Sequence, residues 1–445
     1  MCGIIEELEK SESASNLAYF FCQATDERLS SASSVLRGLI YMLLCRHPEL
    51  ACHLEEDYGR MGKPLFEGPN AWVSMVRAFT TMLSQPVLRG QILIVDGLDE
   101  CTTDMNKLVE LISDVSYGKW AVSSRNWPVI ADRLHDTSAS LCLELNPESV
   151  ATAVHLYIEH QVEQLTKMKR YNETTRHAVR QHLIDNADGT FLWVALVSQQ
   201  LANPQVRKWH VLDMLKTFPP GLEGLYERMM SNVLDSLDAD LCREILAIVS
   251  LVLRPVSTGE IMLALDSADT LNGDLEALEE IIAFCGSFLT LRDSTVFFVH
   301  QSAKDFILNQ ALTRVMPQGA SHQHGLIFAR SVRLLNTVLK RDIYQLREPG
   351  TLMSRSKHPK ADPWASYTYF AVHFLEHFRR SDAPPDAILY DLCLQFLSKK
   401  LLFWLEALGL LESVPQGVLA IHNLFQHFVR SNAHNSMHHR PTDWA

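Results

Sequence analysis

The segment QILIVDGLDEC, residues 91–101, decides the fold. Four consecutive apolar residues, Ile92 to Val95, include three β-branched side chains and read as a strand that is apolar on both faces. Such a strand belongs inside a parallel sheet covered by helices on both sides. Asp96 stands at its carboxyl end, and Asp99 and Glu100 follow in the turn. In open α/β sheets, ligands bind at that end of the strands. A carboxylate there is a hard oxygen donor, suited to a Mg2+ ion that also touches a nucleotide phosphate. The same acidic residues equally suit the first turn of a helix, where they complement its dipole. The residues alone divide these two readings evenly.

Outward from this strand, helix and strand signals alternate. Residues 3–12 carry Ile4, Ile5 and Leu8 on one helical face, and LAYFFC (17–22) reads as a buried strand. Ser33–Leu44 reads as a helix stopped by His47-Pro48, followed by a Gly/Pro-rich loop over 59–69 and a helix over Ala71–Leu83. A helix over Asn106–Val115 and strands over Trp120–Ser124 and Ser140–Leu145 complete an α/β domain spanning 1–145. After Asn146-Pro147 the chain turns helical, with segments near 147–168, 173–187, 190–202 and 222–235 forming a helical domain over 146–236. Residues 237–320 combine helices with β signals at Ser287–Leu291 and Val296–Val299, which is a winged-helix pattern. A C-terminal helical region follows over 321–432, broken at 345–364, and 433–445 reads as a disordered tail. The fold class is therefore α/β followed by mainly α. No fixed-period repeat runs through the chain, which excludes a propeller or ankyrin array within it.

Composition narrows the function. The 445 residues are 47% apolar and 21% charged, ordinary globular usage. A net charge of −12 argues against nucleic-acid binding, which needs clustered Lys and Arg. Nine scattered cysteines include no CxxC pair, so neither a disulfide scaffold nor a structural zinc site is expected. The most apolar run, Ile245–Leu253, is half of what a bilayer requires, and the opening MCGIIEELEK turns acidic by Glu6, unlike a secretory signal. A soluble cytoplasmic protein with no membrane partner is expected. His373-Phe-Leu-Glu376-His377 fits the H-x-x-E-H zinc signature. Its surroundings are an aromatic amphipathic helix, so Phe370, Phe374, Leu375 and Phe378 are read as core instead. His434, His438 and His439 are read as solvent-exposed.

Several blocks, in order and at the right spacing, resemble the NACHT domain of fungal NOD-like receptors, a branch of the STAND P-loop NTPases. They are FFCQATDERL (20–29), VLRGLIYMLL (35–44), ILIVDGLDEC (92–101) and VSSRNWP (122–128). LELNPESVATAVHLYIEHQVEQL (143–165) and GTFLWVALVSQQL (189–201) resemble the helical domain that follows. FPPGLEGLYERMM (218–230) and CGSFLTLRDSTVFFVHQSAKDFIL (285–308) resemble the next helical and winged-helix modules. RDIYQLREPG (341–350) and FWLEALGLL (403–411) resemble the stretch preceding the repeat sensor. The resemblance implies that Asp96 holds Mg2+ and that Asp99 and Glu100 position an attacking water. It further implies that Arg125 senses the terminal phosphate of ATP and that His300 contacts the phosphates of bound ADP. On the residues alone, Arg125 is a surface arginine before a proline loop and His300 a core histidine.

One departure shapes the expectation. The sequence contains no GxxxxGK[ST] string, whose backbone N–H groups and Lys cradle nucleotide phosphates. The nearest string, Gly59 to Pro64, has the wrong spacing and places Pro where Ser or Thr belongs. By resemblance, residues 1–5 lie within the helix that a P-loop opens, so the sheet is expected to be incomplete and the repeat sensor missing. Gly189-Thr-Phe191 also stands where many relatives have Gly-x-Pro against adenine. The expected function is a NACHT-type signalling or interaction protein with weak or no ATP/ADP binding and no turnover. The alternative is an ADP-closed, ATP-open switch whose N-terminus lies outside this sequence. Expected partners are proteins, either intact NACHT relatives or copies of itself. Losing the P-loop strand is expected to leave a gap or edge beside strands 17–22 and 92–96.

Overall fold

Strand β2 (Ile92–Asp96) pairs in parallel with β1 (Leu17–Phe21) on one side and β3 (Lys119–Val122) on the other. The computed structural model describes residues 1–10, 16–62, 64–67, 70–114, 118–125, 130, 133–134, 147–285, 288–344, 364–381 and 388–438. Leu93, Ile94 and Val95 are fully buried, as a strand apolar on both faces requires. Leu93, Val95 and Ala18 face the helices Ala32–Arg46, Ala71–Leu83 and Met105–Asp114. Ile94 and Leu17 face the opposite way, where Ile5 of the helix Cys2–Glu9 covers them. The alternation along β2 thus assigns each residue to its own layer.

This arrangement corrects the expected gap but keeps the expected edge. The strands at 17–22 and 92–96 pair directly, from Leu17 against Ile92 to Phe21 against Asp96, and β2 is paired on both sides, while among the described residues β1 has no strand on its outer side. The weakness lies at β3, where Lys119 is exposed and Trp120, Ala121 and Val122 are half-buried. Among the described residues β3 has no strand on its outer side. The strand read at Ser140–Leu145 lies outside the described residues. A second correction concerns 59–69, read as loop. Helices Cys52–Met61 and Pro64–Glu67 occupy most of it. Gly59 is tolerated inside the first, and the stop falls at Gly62, whose φ of 63° leaves the helical region. Pro64 opens the second helix, where a missing N–H is no loss.

The helices Pro147–Lys169, Glu173–Asn186, Phe191–Ala202, Val211–Leu215 and Leu222–Leu234 follow. Asn172 caps the second of these, accepting the Thr175 N–H at 2.8 Å. The winged-helix region holds helices Ala239–Leu251, Thr258–Ala264, Leu275–Phe284 and Gln301–Asn309. Its β5 (Leu289–Arg292) and β6 (Thr295–Phe298) make a hairpin through Asp293 and Ser294, both at positive φ as a two-residue turn demands. Sequence reading missed its third strand, β4 (Val256–Ser257), which pairs with β6. Two residues carry no readable period. The C-terminal helices are Gly319–Val338, Thr368–Arg380, Ile388–Leu410 and Val414–His438. The last one corrects the expected disordered tail, since no Gly or Pro interrupts it after Gly417 until Pro441. Residues 439–445, and the side chains of His434 and His438, lie outside the description.

One continuous apolar core runs from Val154 to Leu424 through all three helical regions, separate from the cores on the sheet. Phe374 is its hub, packing at 5.0 Å from Phe396 and 5.5 Å from Trp404. A polar chain crosses this core. Tyr369 Oη and His377 Nε2 share a hydrogen bond of 2.6 Å, and His377 Nδ1 meets His324 Nδ1 at 2.8 Å. One of the two Nδ1 atoms must be bare to accept from the other, so the two rings cannot both be charged. Among the described residues no helix is long and apolar enough to cross a membrane.

Two outcomes follow from this packing. Amide exchange in Ile92–Val95 should be slower than in Lys119–Val122 by about tenfold or more, because only β2 is paired on both sides and buried. Exchange in β2 at or above the β3 rate would contradict its central position. Burial, the largest cause, pushes His324 down to about 4 and His377 well below the ordinary histidine value. An unfolded chain binds protons on these rings near pH 6.5 while the folded one does not, so stability falls as pH drops from about 6.5 towards 4. Thermal melts at pH 7, 6 and 5 should show a stepwise loss of Tm; a flat Tm would show that these rings titrate alike in both states.

Candidate functional site

Asp96 ends β2 half-buried, and the chain turns at Gly97, whose φ of 70° suits glycine. Ser123, just past β3, fixes this corner. Its hydroxyl donates to Asp96 Oδ1 and accepts the Gly97 N–H at 2.9 Å, while its carbonyl accepts the Leu98 N–H at 2.8 Å. The other Asp96 oxygen has no hydrogen-bond partner among the described residues. Ser123 was not singled out from sequence, although it sits in VSSRNWP two residues before Arg125.

Asp99 is buried and both of its oxygens hold Arg125. Oδ1 accepts the Arg125 backbone N–H at 3.0 Å, and Oδ2 lies 3.2 Å from Nε. The guanidinium then reaches across to the winged-helix region, where Nη1 donates to Asp305 Oδ2 at 3.1 Å. Gln301 steadies the other Asp305 oxygen at 2.8 Å. Asp305 is the second residue that sequence reading passed over; its signal is the i+4 spacing from Gln301 on one helix face. Glu100 Oε2 accepts the Ala24 N–H at 3.0 Å. Burial raises the Glu100 carboxyl above its ordinary range, partly offset by that hydrogen bond and by Arg125.

His300 caps the helix Gln301–Asn309. Its Nδ1 accepts the Ser302 N–H at 3.1 Å, and the residue as a whole is exposed, unlike a core histidine. Burial of part of the ring and then the Arg125 charge push its pKa down, while Asp305 pushes the other way. Arg125, Asp305, Glu100 and His300 therefore share one electrostatic neighbourhood at the carboxyl end of the sheet. Asp96 adjoins it through the Ser123 corner. The histidines and glutamate of 373–377 are engaged elsewhere: His377 in the polar chain, His373 against the Tyr369 ring at 4.9 Å, and Glu376 with Arg379 and Arg380. Phe370, Phe374, Leu375 and Phe378 lie in the core, as their spacing predicts.

Comparison with known proteins now has a geometry to meet. Residues 1–125 match the family described as Nephrocystin 3, N-terminal, and residues 226–315 match the GPI inositol-deacylase winged helix domain. The vegetative incompatibility protein HET-E-1 of Podospora anserina is 43% identical over 448 residues, an alignment taking in 95% of this chain. These likenesses are in keeping with a resemblance to the NACHT-type NOD-like receptors of fungi. The chain spans 33% of HET-E-1. The matched winged-helix region reaches back into the helix Leu222–Leu234, further than the expected start at 237. Phe191 opens its helix beside Tyr157 at 5.6 Å.

The donor set fits a singly held hard cation. Among the described residues no three His, Cys, Asp or Glu side chains converge on a metal position. A Mg2+ held by one carboxylate and by phosphates needs no such cage, and among the described residues one Asp96 oxygen has no hydrogen-bond partner. Arg125→Ala should cost about 1–2 kcal/mol in urea denaturation, because it strips the guanidinium from a carboxylate only 6% exposed. Asp305→Asn should cost about 0.5–1 kcal/mol at most, since that ion pair is half-exposed. Equal losses would mean that Asp99 does not depend on Arg125.

Proposed function

We propose that this chain is the signalling core of a vegetative-incompatibility-type receptor, acting through protein association and not through turnover. The observation that carries the reading is the arginine bridge. Arg125 stands where an α/β sheet meets its ligand, yet it is shared between Asp99 of the sheet and Asp305 of the winged-helix region. That geometry closes one region on another at this arginine.

In this reading Asp96 would hold Mg2+, and Arg125 and His300 would face nucleotide phosphates. Asp99 and Glu100 keep the acidic turn in shape, and Asp99 also sets the Arg125 side chain. Mg2+, when bound, neutralises phosphate charge. With no GxxxxGK[ST] string in the sequence, affinity for ADP or ATP is weak. The partners are proteins, either longer NACHT-type relatives or copies of this chain, met in the cytoplasm.

The same bridge favours the second reading, a nucleotide-driven switch in a longer chain, since a phosphate near Arg125 would compete with Asp305 and favour the open state. Phosphate release with Mg-ATP, alongside calorimetric titration of Mg-ADP and Mg-ATP, separates the two. We expect no release above background and only weak heats. Turnover that disappears in Asp96→Asn would overturn the non-catalytic reading in favour of the switch ATPase.

A further inference from the structure

The loop between β1 and the helix Ala32–Arg46 is tied at both ends to things that matter. At its base, Cys22 N–H donates to Asp96 O at 2.9 Å, and Ala24 N–H donates to Glu100 Oε2 at 3.0 Å. Ser30 O accepts the N–H groups of Thr102 and Thr103 at 2.8 and 3.1 Å. The loop therefore clasps the acidic turn 96–103 from both sides. Its interior is stiff: buried Asp26 takes Arg28 bidentately, and Gln23 N–H donates to Leu29 O at 3.2 Å.

At its tip, Glu27 is gripped twice by elements from the far end of the chain. Its carboxylate accepts Arg380 Nη2 at 2.9 Å. Its backbone N–H donates to Leu253 O at 2.9 Å. Leu253 N–H in turn donates to Tyr369 Oη at 3.2 Å, which joins the polar chain through His377 to His324. Arg380 and Tyr369 lie on one helix, Thr368–Arg380. A single C-terminal helix thus holds the Glu27 tip through an ion pair and through a buried hydrogen-bond chain.

We propose that residues 22–31 form a rigid coupling arm through which the helix Thr368–Arg380 sets the position of Glu100 and the Asp96 turn. Arg380 and Tyr369 are positioning residues for that turn, more than 250 residues away in sequence and without direct contact to it. The two grips divide the work. The Arg380–Glu27 pair is partly exposed and weak in water, so it sets direction. The Leu253–Tyr369–His377 chain is dry, and breaking it leaves a buried N–H unpaired, so it supplies stiffness. A shift of the C-terminal helices reaches the carboxylates at the sheet end by this arm. The inference borrows significance from the nucleotide reading of that end, but its test involves no nucleotide, so the two can fail separately.

Hydrogen exchange on the full chain tests it, comparing the parent with Arg380→Ala, Tyr369→Phe and the double variant. Amides of Ala24, Thr102 and Thr103 should exchange about tenfold faster in the double variant, equivalent to about 1.4 kcal/mol of easier local opening. The helix Phe191–Ala202, remote from the arm, serves as reference. Should the double variant fail to fold, Arg380→Ala alone carries the test, with a rise of about threefold over the reference. A rise at Ala24, Thr102 and Thr103 no larger than in Phe191–Ala202 would overturn the coupling.

Discussion

Everything at the amino end depends on hiding both faces of Ile92–Val95. A strand apolar on two sides cannot sit at an edge or face water on either face without large loss, so helices must cover both. The helix Cys2–Glu9 takes one face and a three-helix layer the other. That burial leaves the first polar residue, Asp96, at the rim of the sheet, where the chain must turn. Gly97 supplies the turn and Ser123 fixes the carboxylate. The site is thus a by-product of where the apolar run ends.

The two halves of the molecule join differently from how each is built. The sheet has its own apolar cores, and the helical regions share another. Named contacts between them are polar: Arg125 with Asp305, Glu27 with Arg380, and the Glu27 N–H with Leu253 O. Polar junctions can part without exposing a dry core, and regions joined in that way move relative to one another by default. A protein that signals by opening would place its joints here. The apolar interiors would stay intact in both states.

The sequence made the strand at 92–96 legible because periodicity and composition agree there, with no competing pattern. Arg125 and His300 were legible only through resemblance. Taken as residues, they read as a surface arginine and a core histidine; Arg125 is indeed exposed, while the exposed N-cap position of His300 does not match a core histidine. Ser123 and Asp305 stayed hidden because their meaning lies in partners: a serine matters once Asp96 is beside it, and an aspartate once Arg125 crosses over. β4 stayed hidden because two residues hold no period, and the direct β1–β2 pairing because register and strand order are non-local. The 59–69 segment misled through composition, since glycine inside a helix is a modest penalty and not a stop.

The polar chain from His324 to Leu253 poses the sharpest question of energetics. Replacing buried polar groups by apolar ones of like shape is often neutral or stabilising, so a core has no need of such a chain for stability alone. What apolar packing cannot do is fix one helix in register against a backbone N–H at a joint. Tyr369 does this at the edge of the helical core: its hydroxyl meets Leu253 N–H, its backbone N–H meets Glu260, and the Arg254 guanidinium sits 5.2 Å above its ring. Leu253 O then faces Glu27 of the sheet region. The polar groups stand where the core meets the joint, which is where position matters more than adhesion.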